Sequence, residues 1–505
     1  MFIEKSKYLS TTRVRIMEQE LVDGHWKRKL ICHIGTAKSD FDLKLLMERA
    51  KQTLDKLERP NQLRFPFPSE IQTSDLRTIG QFHQGADLIL GHLFDLLGIE
   101  REKASLLRLL VIARILLPGS KRRTVQFLNQ SFGTSLDLDQ VYRYMDKIAK
   151  IQDEIFSSTR NYLMTTYPGS FGYILYDVTT LYFETDNEDE DNENPGLRKK
   201  GYSKDKRDDL SQVVLGLGVN SLGMPLSYRL YPGNTFEGST LLDGIDETLN
   251  TMGLASLTVV GDAGMLSEKN LTALEARKLH YIVGARLKSL PKSLQDEITS
   301  LDFSRDSTHE IIYKNRRIVI SYSASRAKRA ISQRERSIAR LEKLIAKNQA
   351  VRKHQYLDFT IKEKPTINID AIAQASKWDG IKGYVTNNFE LNQDEVITHY
   401  GELYRVEQSF RMSKSDLKIR PAFHYREKRI QAHVVICMLG LCVLRMLEYQ
   451  VKPIGLTVRS ALDEINATKA AIVKLGDRQF LIPAEYGPII KQIIGTLKLN
   501  DQIVV

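Results

Sequence analysis

Tyr173-Ile-Leu-Tyr-Asp177 and Leu257-Thr-Val-Val-Gly-Asp262 are the two stretches on which the reading of this chain turns. Each is a short apolar run that ends in an aspartate. Such a run, rich in β-branched and aromatic residues, reads as a buried strand. In open α/β sheets, sites assemble at the carboxyl ends of the strands. Two aspartates brought together there repel each other, and a divalent cation relieves the repulsion. Mg²⁺ prefers such hard oxygen ligands and keeps water for a substrate phosphate. Taken singly, each aspartate also reads as a turn former or a cap, Asp262 for a helix after Gly264.

The neighbouring segments extend the pattern. Residues 213–219 and 226–231 read as two more strands, joined by a turn at Ser221-Leu222-Gly223. A helix is predicted over 239–250, another from Ser267, and a further strand over 281–283. Three strands, a helix, a strand, a helix and a strand suit a mixed sheet with helices packed on it. Residues 290–380 interrupt this order with β-like pieces at 310–313 and 317–321 and a basic helix over 326–353. That helix is read either as a DNA-facing arm or as an ordinary amphipathic surface helix. A strand at 383–386, a long helix over 393–416 and a buried helix over 433–448 follow.

Upstream, residues 12–17 and 29–34 are β-like, and 80–165 is helical by the recurrence of leucines. Lys121, Arg122 and Arg123 open a helix after Pro118-Gly119. This region is read as a helix-turn-helix-like DNA reader or as a plain helical scaffold. The division expected is a β/α region at 1–75, a helical DNA-binding domain at 76–165, core at 166–290, an insertion at 291–380, core again at 381–450 and a helical tail at 451–505.

The 505 residues carry a formal net charge of +11. A basic excess fits an anionic partner, nucleic acid being the commonest, or a merely solvated basic surface. Cys32, Cys437 and Cys442 have no paired spacing, so neither a disulfide framework nor a thiolate metal site is expected, and a reducing interior suits them. No apolar signal core follows Met1, and the apolar run 434–444 falls short of the ~20 residues that span a bilayer. The expectation is therefore a cytoplasmic protein with no membrane partner.

A third carboxylate stands in Tyr400-Gly-Glu-Leu-Tyr-Arg-Val-Glu407-Gln-Ser-Phe-Arg-Met-Ser-Lys414. On one continuous helix, Tyr400, Glu407 and Lys414 share a face with Ile397, Leu403 and Phe410. A carboxylate on an apolar stripe must be paired or metal-bound; the other reading is a surface pairing of Tyr400 with Lys414.

With these residues in view, the chain resembles the DDE transposases of bacterial insertion sequences, in the insertion-sequence-four-like group with a Tyr-Arg-Glu-Lys signature. Tyr400, Glu407 and Lys414 fit that signature. Leu403 stands where it has arginine, and Arg405 is out of register. Other similar stretches are Tyr176-Asp-Val-Thr-Thr180, Gly201-Tyr-Ser-Lys-Asp205, Pro232-Gly-Asn-Thr-Phe-Glu237, Val260-Gly-Asp-Ala-Gly264, Asp379-Gly380, Thr386-Asn387, Arg420-Pro421 and Arg429-Ile-Gln-Ala-His433. The resemblance implies a ribonuclease-H-like catalytic core with a β-rich insertion, in which Asp177, Asp262 and Glu407 hold two Mg²⁺ ions, with Mn²⁺ able to substitute. It implies cleavage and strand transfer at terminal inverted repeats, by cut-and-paste through hairpin ends, by a homodimer on paired ends. Tyr400, Lys414, Arg405 and Arg411 would contact DNA. A bacterial, nucleoid-associated location goes with it. The alternatives are a transposase-derived DNA-binding protein and a nuclease without strand transfer.

Residues 182–206 form a polar loop with an acidic first half and a basic second half. Lys199, Lys200, Tyr202, Lys204 and Arg207 are candidate DNA contacts, and the acidic half reads as a plain disordered insert. Trp378 is a base-stacking candidate or a core residue.

Overall fold

The computed structural model describes residues 1–8, 11–22, 25–37, 39–58, 77–190, 196–203, 207–252, 257–264, 267–303, 307–347, 349, 352–359, 365–475 and 478–499. The chain divides into two compact units, Met1–Arg77 and Thr78–Val505. In the first, strands β1 (Phe2–Tyr8), β2 (Thr11–Val22) and β3 (His25–Ala37) form an antiparallel sheet in that order, and helix α1 (Asp40–Glu58) packs on it. Both strands expected here are longer than the sequence pattern indicates.

Strand β4 (Arg77–Phe82) starts at the boundary, and the second unit continues with helices α2 (Gly91–Asp95), α3 (Arg101–Leu116), α4 (Lys121–Ser131) and α5 (Leu138–Thr166). Local chemistry places the starts of two of them. Ser120 caps α4 by accepting from the Arg123 amide, and Asp137 and Gln140 form a reciprocal capping box at α5. Next come β5 (Tyr173–Tyr182), β6 (Gln212–Val219), β7 (Pro225–Pro232), α6 (Glu237–Met252), β8 (Thr258–Gly261), α7 (Glu268–Ala276) and β9 (His280–Ala285). This is the predicted order.

The segment 291–380 holds α8 (Lys292–Ser300), β10 (Thr308–Tyr313), β11 (Arg316–Tyr322), α9 (Ala324–Ala346), β12 (Leu357–Asp358), β13 (Thr366–Ile367) and α10 (Ile369–Ser376). It is not the β-rich insertion expected. Its longest element is the 23-residue α9, and β10 and β11 join the main sheet. The reason is register: the apolar Ile318 and Ile320 of β11 pair antiparallel with β14 (Ile381–Thr386) and bury against Leu287 and Ile298.

The main sheet has eight strands in the order β10-β11-β14-β9-β8-β5-β6-β7. Strands β5, β8 and β9 run parallel, β6 pairs antiparallel with β5, and β7 pairs antiparallel with β6. Helices cover both faces. Tyr176 points to one face, where its hydroxyl donates to the Thr240 carbonyl of α6 at 3.3 Å. Tyr173 points to the other and stacks on His399, ring centroids 4.2 Å apart.

His399 lies on α11 (Gln393–Gly401), which is followed by α12 (Tyr404–Arg411) and a π-helical turn, Met412–Asp416. The single helix predicted over 393–416 is therefore broken. Gly401, a weak helix former, ends the first piece. The π turn adds a residue to the last one, with the Leu417 amide reaching the Met412 carbonyl at 2.9 Å. Tyr400 and Lys414 are half-buried on the two sides of these breaks, and Glu407 between them is exposed.

Helix α13 (Glu427–Val451) runs well past the apolar stretch on which it was predicted, and it packs on α2, α3, α5 and β7. With the turn that follows, it is long and apolar enough to cross a membrane, but 94% of its apolar window is buried inside the fold. It is the central core element. Helices α3 to α5 share this core with the sheet, so they are not packed as a separate module. The tail is less helical than expected. Between α14 (Val458–Ala467) and α15 (Pro488–Thr496), strands β15 (Ala470–Leu475) and β16 (Arg478–Ile482) form a small sheet with β4.

Candidate active site

The parallel register of β5 and β8 pairs Tyr173 with Thr258, Ile174 with Val259 and Leu175 with Val260. Carried two residues further, it sets Asp177 beside Asp262. Side chains alternate along a strand, so Asp177 shares the face of Tyr173, the face on which α11 and α12 lie. Helix α12, which carries Glu407, rests on β5 and β6.

Asp177 is half-buried, while Asp262 and Glu407 are exposed. The burial expected of Glu407 does not occur. Val406, Ser409 and Phe410 form the buried side of α12, and Glu407 projects from its open side. Glu407 makes no hydrogen bond or ion pair among the described residues. Among the described residues Asp262 accepts only from the amide of Ala263, at 2.7 Å. It does not cap the next helix, since α7 begins at Glu268 with Ser267 as its cap. Among the described residues, no three His, Cys, Asp or Glu side chains stand close enough to hold an ion. The carboxylates are gathered at one region of the sheet without closing on each other.

Tyr400 connects two of them. Burial pushes its hydroxyl up to about 12, and the charges of Asp262 and Glu407 both push in the same direction. Its ring sits at 5.0 Å from that of Tyr384 and carries the Lys382 ammonium 4.4 Å from its centroid. Gly284, beside this ring on β9, leaves the room: a Cβ there would lie 2.7 Å from the Tyr400 hydroxyl. Lys382 is half-buried. Burial, then Arg326, lowers its pKa, and Asp262 acts against them. Arg286 donates to the Ala263 carbonyl at 3.0 Å, holding the backbone next to Asp262. Lys382 was missed in the sequence, although a lysine in an otherwise apolar strand, Ile-Lys-Gly-Tyr-Val, is a legible signal.

The other candidate contacts lie in several environments. Arg405 is ion-paired with Glu402 and lies over the Tyr404 ring. Arg411 is exposed, and Lys414 is half-buried on the π-helical turn. Lys199 donates to the Asp189 carbonyl at 2.7 Å, and its backbone pairs with Gln212 as an isolated bridge beside β6. The Lys200 amide donates to Glu188 at 2.6 Å, Arg207 pairs with Asp209 at 3.2 Å, and Tyr202 is 79% exposed. Lys204 lies outside the described residues.

The acidic and basic halves of this loop are folded against each other. Asp189 pairs with Arg198, whose guanidinium also lies over the Tyr425 ring. Residues 184–190 are therefore an ordered counter-charge to 198–200 and not a plain disordered insert. Trp378 packs on the small core of Leu287, Ile298, Ile318 and Ile320.

No curated protein matches this chain. Among solved structures, a piggyBac transposase synaptic complex with hairpin DNA aligns over 77% of this chain and 81% of its own, with 10% identity and a TM-score of 0.36. The family model of the transposase DDE domain matches residues 174–443, from the start of β5 into α13, and so takes in Asp177, Asp262, Glu407 and Lys414. Since that match covers more than half of the sequence, the chain belongs to the transposase DDE domain family.

Proposed function

We propose that this chain is the transposase of an insertion sequence, and that it cuts and joins DNA at the element's terminal inverted repeats with Asp177, Asp262 and Glu407 as ligands of two divalent cations. The observation that carries this reading is the register of β5 and β8, which sets Asp177 beside Asp262 under the helix that bears Glu407. The strand order β7-β6-β5-β8-β9, antiparallel then parallel, supports a ribonuclease-H-like core.

The donor set suits Mg²⁺ or Mn²⁺. All three ligands are carboxylates, and among the described residues Asp262 and Glu407 have no competing ion pair. Two such ions, when bound, activate an attacking hydroxyl and neutralise the leaving oxygen in phosphoryl transfer. The protein's own groups supply positioning and charge. Tyr400 stays protonated at neutral pH and so is a hydrogen-bond donor to a phosphate oxygen. Lys382, Arg411 and Lys414 are cations for the flanking backbone. Excision through hairpin ends, by a homodimer on paired ends, is the route that the signature residues favour.

The test is to incubate the protein with DNA carrying the repeats that flank its gene, with Mg²⁺ or chelator, beside Asp177→Ala. Metal-dependent cutting at the repeat ends, lost in Asp177→Ala, is expected, and a hairpin band defines the route. Specific binding with no cutting in Mg²⁺ or Mn²⁺ would instead assign the chain to a DNA-binding descendant.

A further inference from the structure

Helix α4 begins in a basic cleft that the active site does not use. The cleft encloses about 250 Å³, and its cationic walls are Arg114 of α3, Lys121 and Arg122 of α4, and Lys418 and Arg420 of the segment after the π turn. No acidic residue lines it among the described residues. Lys121 is only 4% exposed, and among the described residues it has neither a hydrogen bond nor an ion pair. Arg114, 5% exposed, reaches among the described residues only the Leu417 carbonyl at 3.5 Å and His433 Nδ1 at 3.4 Å.

His433 Nε2 lies 3.0 Å from the Ile419 carbonyl. It must donate there, so Nδ1 is the acceptor that orients Arg114. Burial, then the neighbouring cations, keeps His433 and His424 neutral, His424 down at about 3. A buried guanidinium beside a buried amine, with no counter-ion among the described residues, is costly to keep charged unless something negative completes the site. Ser120 takes the Arg123 amide, and the Lys121 and Arg122 amides, which have no intrahelical acceptor, belong to residues that line the cleft.

The cleft lies near the catalytic strand. Ala422 donates to the Tyr182 carbonyl at the end of β5 at 3.1 Å, and the Arg420 guanidinium stands 5.4 Å from the Tyr182 ring centroid. We propose that it is a phosphate site that receives the terminal phosphate of a DNA strand, with Lys121 and Arg114 at its base and Arg122 at its rim. A terminal phosphate enters end-on and reaches a side chain as deep as Lys121, whereas a phosphodiester within a duplex has a sugar on either side. The DNA assignment rests on the transposase reading, and the phosphate chemistry does not.

Inorganic phosphate is titrated into the full-length protein against chloride of equal ionic strength, followed by thermal melting and ³¹P line broadening. Phosphate is expected to raise the melting temperature of the wild type. Lys121→Met is expected to lose roughly tenfold or more in phosphate affinity, and Arg122→Gln, on the exposed rim, a few-fold. A 5′- or 3′-phosphorylated oligonucleotide is expected to bind more tightly than the same strand ending in hydroxyls, by a margin that inorganic phosphate competes away. No phosphate effect on the wild type, or equal binding by Lys121→Met, overturns the site. If Lys121→Met does not fold, an Arg122→Gln variant that binds phosphate like the wild type overturns it instead. A phosphate effect without preference for phosphorylated ends overturns the DNA assignment. Failure of the transposase reading is seen separately, as absence of metal-dependent cutting.

Discussion

At the residue scale, Lys121 is the group most at odds with its surroundings. Burial, with Arg114 adding to it, lowers its ammonium from 10.5 to about 7. Between those values the unfolded chain holds a proton that the folded chain has released. The stability of the fold therefore rises with pH across this window, and the cost of the charged group is full below about pH 7. Without phosphate, Lys121→Met is expected to be at least as stable as the wild type at neutral pH, with an advantage that shrinks toward roughly pH 9. Urea melts of both proteins at the two pH values measure this, and a constant difference would falsify it. Tyr400 gives a second prediction. In Gly284→Ala the added methyl displaces the tyrosine hydroxyl, so cleavage should fall by about tenfold or more with little change in DNA affinity. Single-turnover cleavage beside a binding titration separates the two.

At the element scale, α13 explains why the sequence reading was strong in places and weak in others. Its unbroken apolar content, Val434 to Leu444, was legible as core, and every residue of that run is buried. Truncating a central member, as in Leu441→Ala, should cost about 2–5 kcal/mol, because the closely packed surroundings cannot fill the cavity; chemical denaturation reads it. Strand β11 depends on charge as well. Arg317 is 6% exposed, pairs with Glu310 at 2.7 Å, and donates to the Asn388 and Leu391 carbonyls. Arg317→Ala leaves those acceptors and the carboxylate unmet, at an expected cost of about 3–5 kcal/mol, again measured by denaturation. Nothing in the local pattern of residues 316–322 announced that they would extend the main sheet, because strand partners are chosen by contacts distant in sequence.

At the scale of the whole molecule, the net charge of +11 acts with the family membership. DNA affinity should fall linearly in log–log form as salt rises. For a footprint of several phosphates that is roughly a thousandfold or more between 50 and 200 mM, and anisotropy titrations at graded salt test it. Part of the apparent basic surface is already neutralised within the fold. Asp189 meets Arg198, Asp209 meets Arg207, and Asp379 meets Arg334 of α9. A count of the basic residues alone therefore overstates what is offered to a partner, whereas the net +11 already subtracts these carboxylates.

What the sequence by itself determined is local and chemical. Apolar runs ending in Asp177 and Asp262, the strand and helix order from β5 to β9, and the core helix α13 were all legible, because buried strands and helices carry their own periodicity and end signals. The tertiary structure alone decided the rest. It set the register that, carried two residues on, brings Asp177 beside Asp262, left Glu407 on the open side of α12, and seated Lys382 against Tyr400. It also placed Lys121, which in sequence reads as one of three basic residues opening a helix, at the base of a buried cleft. Each of these follows from contacts between segments far apart in the chain, where packing and desolvation outweigh local propensity.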